Sequence, residues 1–118
     1  MTDLSIHTDS TKSVPVMQVI GRIDSESAPY FDEELTKLLQ NNNKIVLNLQ
    51  NVEYMSSAGL RAIVKAYQAA KKTGGDLHLA CVPEPIEGVL LTVGMNQMLK
   101  SYPNTQEAMA GFSACRGG

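Results

Sequence analysis

The hydrophobic period of this chain changes repeatedly along its length, and this alternation restricts the possible folds more than any other feature. Residues 14–20 carry Val14, Val16, Val19 and Ile20, with Pro15 near the start, where a missing ladder donor is tolerated. Residues 44–49 form an almost continuous apolar run through Ile45, Val46, Leu47 and Leu49, the pattern of a strand covered on both faces. Residues 76–82 alternate Leu77, Leu79 and Cys81 against His78 and Ala80. Between these strands the period lengthens. Phe31, Leu35, Leu38 and Leu39 fall at i, i+4, i+7 and i+8, after N-cap candidates at residues 24–27 and Pro29 in the first turn. Leu60, Ile63, Val64 and Tyr67 repeat at i, i+3, i+4 and i+7, with Arg61, Lys65 and Lys71 on the other side and Gly74-Gly75 as the C-cap.

Weaker signals complete the order. Leu4 and Ile6 mark a short edge strand, and residues 50–54 read as a loop. Ile86, Val89, Leu90 and Val93 follow Pro83 and Pro85 as a third helix. A short strand is expected at 98–100 and a helical turn at 105–109. The sequence thus predicts β-β-α-β-α-β-α-β-α: an α/β domain with a mixed, mostly parallel sheet of four to five strands, an antiparallel opening pair and about four helices. Residues 1–112 form this domain and 113–118 a flexible C-terminal tail.

Composition narrows the function classes. The chain has 118 residues, 10 Lys+Arg against 12 Asp+Glu and a formal net charge of −2. This is one domain's length, with no basic cluster of the kind nucleic acid attracts. No apolar run approaches the ~18–20 residues of a membrane span, and the N-terminus lacks a signal-peptide layout. Two cysteines, Cys81 and Cys115, are too few for a disulfide framework. A cytoplasmic, monomeric binding domain without nucleic-acid or membrane partners is the expectation.

Chemistry in such folds concentrates where strands run into helix N-termini. The segment 54–60 is such a junction and brings two hydroxyls, Ser56 and Ser57, to a helix start, where unpaired N–H groups and the positive dipole end tolerate an anion. Either serine is also a good N-cap, so local chemistry leaves both roles open. A hydrolase elbow is disfavoured. Gly-x-Ser-x-Gly centred on Ser57 would need glycine where Met55 stands, and the available bases, His7 and His78, lie on strands. His78 and Cys81 would point to opposite faces of one strand and hold no metal. His78 reads instead as a solvated or satisfied sheet residue, and Cys81 as a small core hydrophobe.

The run Asn48-Leu49-Gln50-Asn51-Val52-Glu53-Tyr54-Met55-Ser56-Ser57-Ala58-Gly59-Leu60-Arg61 resembles the signature of the STAS-domain anti-sigma factor antagonists. Gly21-Arg22-Ile23-Asp24 is similar to the step before that family's first helix, and Gly74-Gly75 also fits. The likeness extends from about Leu4 to Ala110. It implies a phospho-switch in bacterial transcription. The serine before x-Gly-Leu, here Ser57, is the phosphoacceptor, with Ser56 as the alternative; many members carry Asp where this chain has Ser56. The unmodified form would bind an anti-sigma factor that is also a serine kinase of the histidine-kinase-like ATPase type, freeing a sigma factor. A phosphoserine phosphatase would reset the system. ATP and Mg²⁺ belong to the kinase, so the chain needs no cofactor, catalytic residue or metal of its own. The expected partner surface is Asp24, Ser25, Tyr54, Met55, Ser56, Gly59, Arg61 and Lys65. The competing reading is a STAS-type module of another pathway (exopolysaccharide, secretion or motility) or a small-ligand binder.

Overall fold

The computed structural model describes residues 4–10, 14–92, 94–95 and 98–114, of which 113 and 114 are described by backbone only. The elements are β1 (Leu4–Asp9), β2 (Val16–Ile23), α1 (Ala28–Leu39), β3 (Lys44–Met55), α2 (Ser57–Lys72), β4 (Asp76–Ala80), α3 (Glu84–Thr92), β5 (Lys100–Tyr102) and α4 (Thr105–Ala114). The five strands form one sheet in the order β1-β2-β3-β4-β5. Among the described residues only the β1–β2 pair is antiparallel; β2–β3, β3–β4 and β4–β5 are parallel. The predicted α/β class, element order and mixed sheet are those of the molecule.

Helices cover both faces of the sheet, which explains the continuous apolar run in β3. One core joins Leu47, Leu49, Leu77 and Leu79 to Phe31 and Leu35 of α1, Leu60 and Ile63 of α2, and Ile86 and Leu90 of α3. On the opposite face a smaller cluster packs Val46 and Ala80 against Ala108 and Phe112 of α4.

Several boundaries differ from the sequence expectation. Strand β2 begins at Val16 and passes through Gly21, at φ 115°, to Ile23 instead of stopping at the glycine. The expected loop at 50–54 is strand: β3 runs on to Met55 through two register shifts against β2, where Gln18 pairs with Asn48 but Ile20 with Asn51, and Gly21 with Val52 but Arg22 with Tyr54. A regular strand would turn Asn51 and Glu53 toward the core that Leu49 enters. The extra residues bring Leu49, Val52 and Met55 inward instead, and all three are buried. Strand β4 stops at Ala80. Cys81 takes a left-handed conformation at φ 56° and donates its N–H to the Tyr102 carbonyl at 3.0 Å, half-buried against the α4 cluster. The last strand is at 100–102 instead of 98–100, and α4 extends beyond the expected 105–109, taking in Ser113 and Ala114. Val93, Cys115 and residues 116–118 of the expected tail lie outside the described residues.

His78 is buried, not solvated. Its Nδ1 donates to the Ala108 carbonyl at 2.8 Å, its ring stacks on Phe112 at 3.8 Å, and Nε2 lies 3.5 Å from Asp76 Oδ2 without a hydrogen bond. It fastens α4 to the sheet.

Candidate phosphoacceptor site at the start of the second helix

The site is assembled where β2 and β3 end side by side. Ile23 pairs with Met55, and the Ser56 N–H donates to the Ile23 carbonyl at 2.7 Å, continuing the parallel ladder one step into the junction. The chain then turns into α2. Ser56 is the N-cap, with extended backbone at φ −84° and ψ 172°, and its hydroxyl accepts from the Gly59 N–H at 3.4 Å. Ser57 is the first helical residue, is exposed, and its hydroxyl makes no hydrogen bond to another described residue. One serine is thus engaged in starting the helix, while the other presents a free hydroxyl beside the unpaired N–H groups of the first turn.

Gly59 fixes how closely this turn lies on the sheet. A Cβ there would stand 2.6 Å from Ile23 Cγ2 and 3.0 Å from Met55 Cγ. Two expectations are therefore corrected: Met55 is buried beneath the helix and Gly59 lies on its sheet-facing side, so neither reaches the surface on which a partner would dock. Met55 and Tyr54 point to opposite faces of β3, and because the second bulge cancels the change of face made by the first, Met55 takes the same core side as Leu49.

The neighbouring turn between β2 and α1 is held by Asp24. Its Oδ1 accepts from the backbone N–H groups of Ser27 at 2.9 Å and Glu26 at 3.0 Å, and lies 3.1 Å from Ser27 Oγ. The Asp24 N–H donates to Ser27 Oγ at 2.9 Å, and that hydroxyl donates to the Arg22 carbonyl at 2.8 Å. The Ser27 N–H, with smaller help from the Ser27 hydroxyl, the Glu26 N–H and the Arg22 charge, holds the Asp24 carboxyl below the usual carboxylate range. This side chain is a half-exposed anion whose orientation is set by the turn.

Between α1 and α2 runs a groove of about 790 Å³ with Ser57 on its rim. Ala28, Leu60 and Met95 contribute to its apolar lining; Ser25, Arg61 and Lys65 are its polar contributors among the expected site residues. Lys65 is paired with Asp32 across the helices at 3.2 Å, whereas Arg61 has no ion-pair partner among the described residues. Tyr54 stands apart from the groove, on the strand face opposite Met55. It is 43% exposed, with Arg22 4.9 Å from its ring centroid. The sequence carries no signal that sets Arg22 beside Tyr54, because their cross-strand pairing depends on the bulged register. The structure thus brings Ser25, Ser57, Arg61 and Lys65 together on one groove, sets Asp24 and Ser56 as turn-forming groups beside it, and separates Tyr54.

The other candidate groups are elsewhere. His7 is exposed on the edge strand β1 and His78 is under α4. Among the described residues no three His, Cys, Asp or Glu side chains converge to hold a metal ion, and no helix is long and apolar enough to cross a membrane.

Comparison with known proteins adds to this geometry. The family model described as STAS domain matches residues 5–108. The anti-sigma F factor antagonist of Paenibacillus polymyxa is 24% identical over 109 residues, covering 91% of this chain and 93% of its own. An anti-sigma factor antagonist from Mycobacterium paratuberculosis has the same fold, with TM-score 0.85 at 20% identity over 93% of this chain and 94% of that one. SpoIIAA of Bacillus in its phosphorylated form superposes with TM-score 0.71 at 13% identity, covering 90% of this chain and 97% of that one.

Proposed function

Because the chain belongs to the STAS domain family, through a match over residues 5–108, we propose that it is an anti-sigma factor antagonist switched by phosphorylation of Ser57. The reading is of a binding protein acting in the cytoplasm, not of an enzyme. The observation that carries it is the division of labour between the two serines: the Ser56 hydroxyl caps α2, while that of Ser57 is exposed and unengaged on the groove rim. The relative named above is an antagonist that aligns over 93% of its own chain, and a protein of the same fold exists in a phosphorylated form.

In the unmodified state the groove between α1 and α2 and its rim, with Ser25, Arg61 and Lys65, dock on an anti-sigma factor that is also a serine kinase. Asp24, Ser56 and Tyr54 border that surface. The kinase transfers the γ-phosphoryl group of ATP to Ser57 Oγ; ADP leaves, and the hydroxyl proton goes to a kinase base. A phosphatase returns the hydroxyl. The modified rim carries roughly −1.5 to −2 additional charge, which an interface must desolvate. A hundredfold loss of affinity corresponds to only about 2.7 kcal/mol. Wholesale refolding is not needed, because the exposed position of Ser57 leaves room for the added group.

Co-incubation with such a kinase and ATP, followed by site-mapping mass spectrometry, tests the reading. Phosphate on Ser57, abolished in Ser57→Ala, together with a kinase complex lost in Ser57→Asp, is expected. Full phosphorylation of Ser57→Ala, or undiminished binding by Ser57→Asp, would overturn it.

A further inference from the structure

We propose that Arg61 is the internal receptor for a phosphate on Ser57, so that modification both adds an anion to the groove rim and withdraws the rim's unpaired cation. The inference rests on the reading of Ser57 as the modified hydroxyl and adds the group that answers it. Ser57 and Arg61 are four residues apart in α2, both are exposed, and both line the groove between α1 and α2. Residues at i and i+4 are neighbours on a helix surface, about 5–6 Å apart at Cβ, and an anion N-terminal to the cation is the better orientation. A phosphoserine offers three acceptor oxygens, which the planar guanidinium fork meets with two parallel N–H donors.

Among the described residues the other cations of the region are committed elsewhere. Lys65 is bound to Asp32 at 3.2 Å and lies two turns from Ser57, about 12 Å along the axis. Arg22 lies over the Tyr54 ring on the far strand face. Arg61 therefore meets the phosphate without breaking an existing ion pair. The resulting pair runs along the α2 side of the groove. A partner carboxylate that contacts Arg61 in the unmodified form then meets a neutralised guanidinium and a phosphate in its place.

The test uses the full chain with phosphoserine encoded at position 57 during synthesis, its second ionisation followed by phosphorus NMR. A phosphoserine ordinarily titrates near pH 6. In the otherwise unaltered protein the phosphate is expected to titrate lower than in Arg61→Gln by about 0.3 pH unit or more, with Arg61→Lys recovering part of the difference. Lys65→Gln is expected to stay close to the parent. Coincident titrations of the parent and Arg61→Gln, or an equal shift on removing Lys65, would overturn the proposal. Because the phosphate is installed without a kinase, a kinase that ignores Ser57 would defeat the regulatory reading and leave this measurement unaffected. Coincident titrations would remove the role of Arg61 and leave the switch itself standing.

Discussion

The backbone N–H of Ser56 is hydrogen-bonded to the carbonyl of Ile23 at 2.7 Å, and through this one contact the two loops that bear the site share a fixed origin. On one side of it Asp24 organises the turn into α1; on the other Ser56 starts α2. The groove rim is set by strand ends, not by free loops, so the positions of Ser25, Ser57 and Arg61 follow from the sheet register.

The two serines are expected to separate in stability. Ser56→Ala removes the cap acceptor for the Gly59 N–H and should cost about 0.5–2 kcal/mol. Ser57→Ala should stay within about 0.5 kcal/mol of the parent, as an exposed substitution with no partner to lose. Urea unfolding of both variants decides this; equal losses would contradict the assigned cap.

Gly59→Ala should destabilise the fold although alanine is the better helix former. Its Cβ meets Ile23 Cγ2 at 2.6 Å and Met55 Cγ at 3.0 Å. Overpacking costs about 1–3 kcal/mol, against a propensity gain of up to about 1 kcal/mol. A lower urea midpoint with unchanged slope is the expected result.

Met55 and Tyr54 are adjacent in sequence and opposite in consequence. Met55→Ala empties a core position and should cost about 2–5 kcal/mol. Tyr54→Ala loses an exposed contact with Arg22 and should cost no more than about 1 kcal/mol. Parallel denaturation curves check the pair.

Acid should weaken the β2–α1 turn through Asp24. Its folded value lies below its unfolded one, because the native carboxylate accepts from Ser27 and Glu26. The stabilisation is therefore fully present above the unfolded value, near pH 4, and is lost as pH falls through the folded value. Thermal melts between pH 2 and pH 5 should show Asp24→Asn losing less stability on acidification than the parent.

Much of this arrangement can be read from residue patterns. The periods of Phe31-Leu35-Leu38 and Leu60-Ile63-Tyr67 locate α1 and α2, and the continuous run at 45–49 announces a strand covered on both faces. The helix start with adjacent hydroxyls is equally visible. What stayed hidden depends on irregularity in three dimensions. Asn51 and Glu53 interrupt the apolar pattern, so residues 50–54 read as a loop, and only the two register shifts against β2 reveal that polar residues lie outward while Val52 and Met55 enter the core. A loop carries no alternation through to Met55, which by its place beside Ser57 reads as part of the docking surface. The burial of His78 depends on α4 crossing the sheet, a long-range contact that its own strand neighbours do not signal.

The tight seat of Gly59 on Ile23 and Met55 sets a requirement on any enzyme that modifies Ser57. Many kinases draw an extended peptide across their catalytic cleft, and this hydroxyl cannot be offered that way without prying the first turn of α2 off the strand ends. The modifying enzyme has to admit an intact globule with its helix still wound, and a short synthetic fragment around the serine would lack the shape by which the site is known.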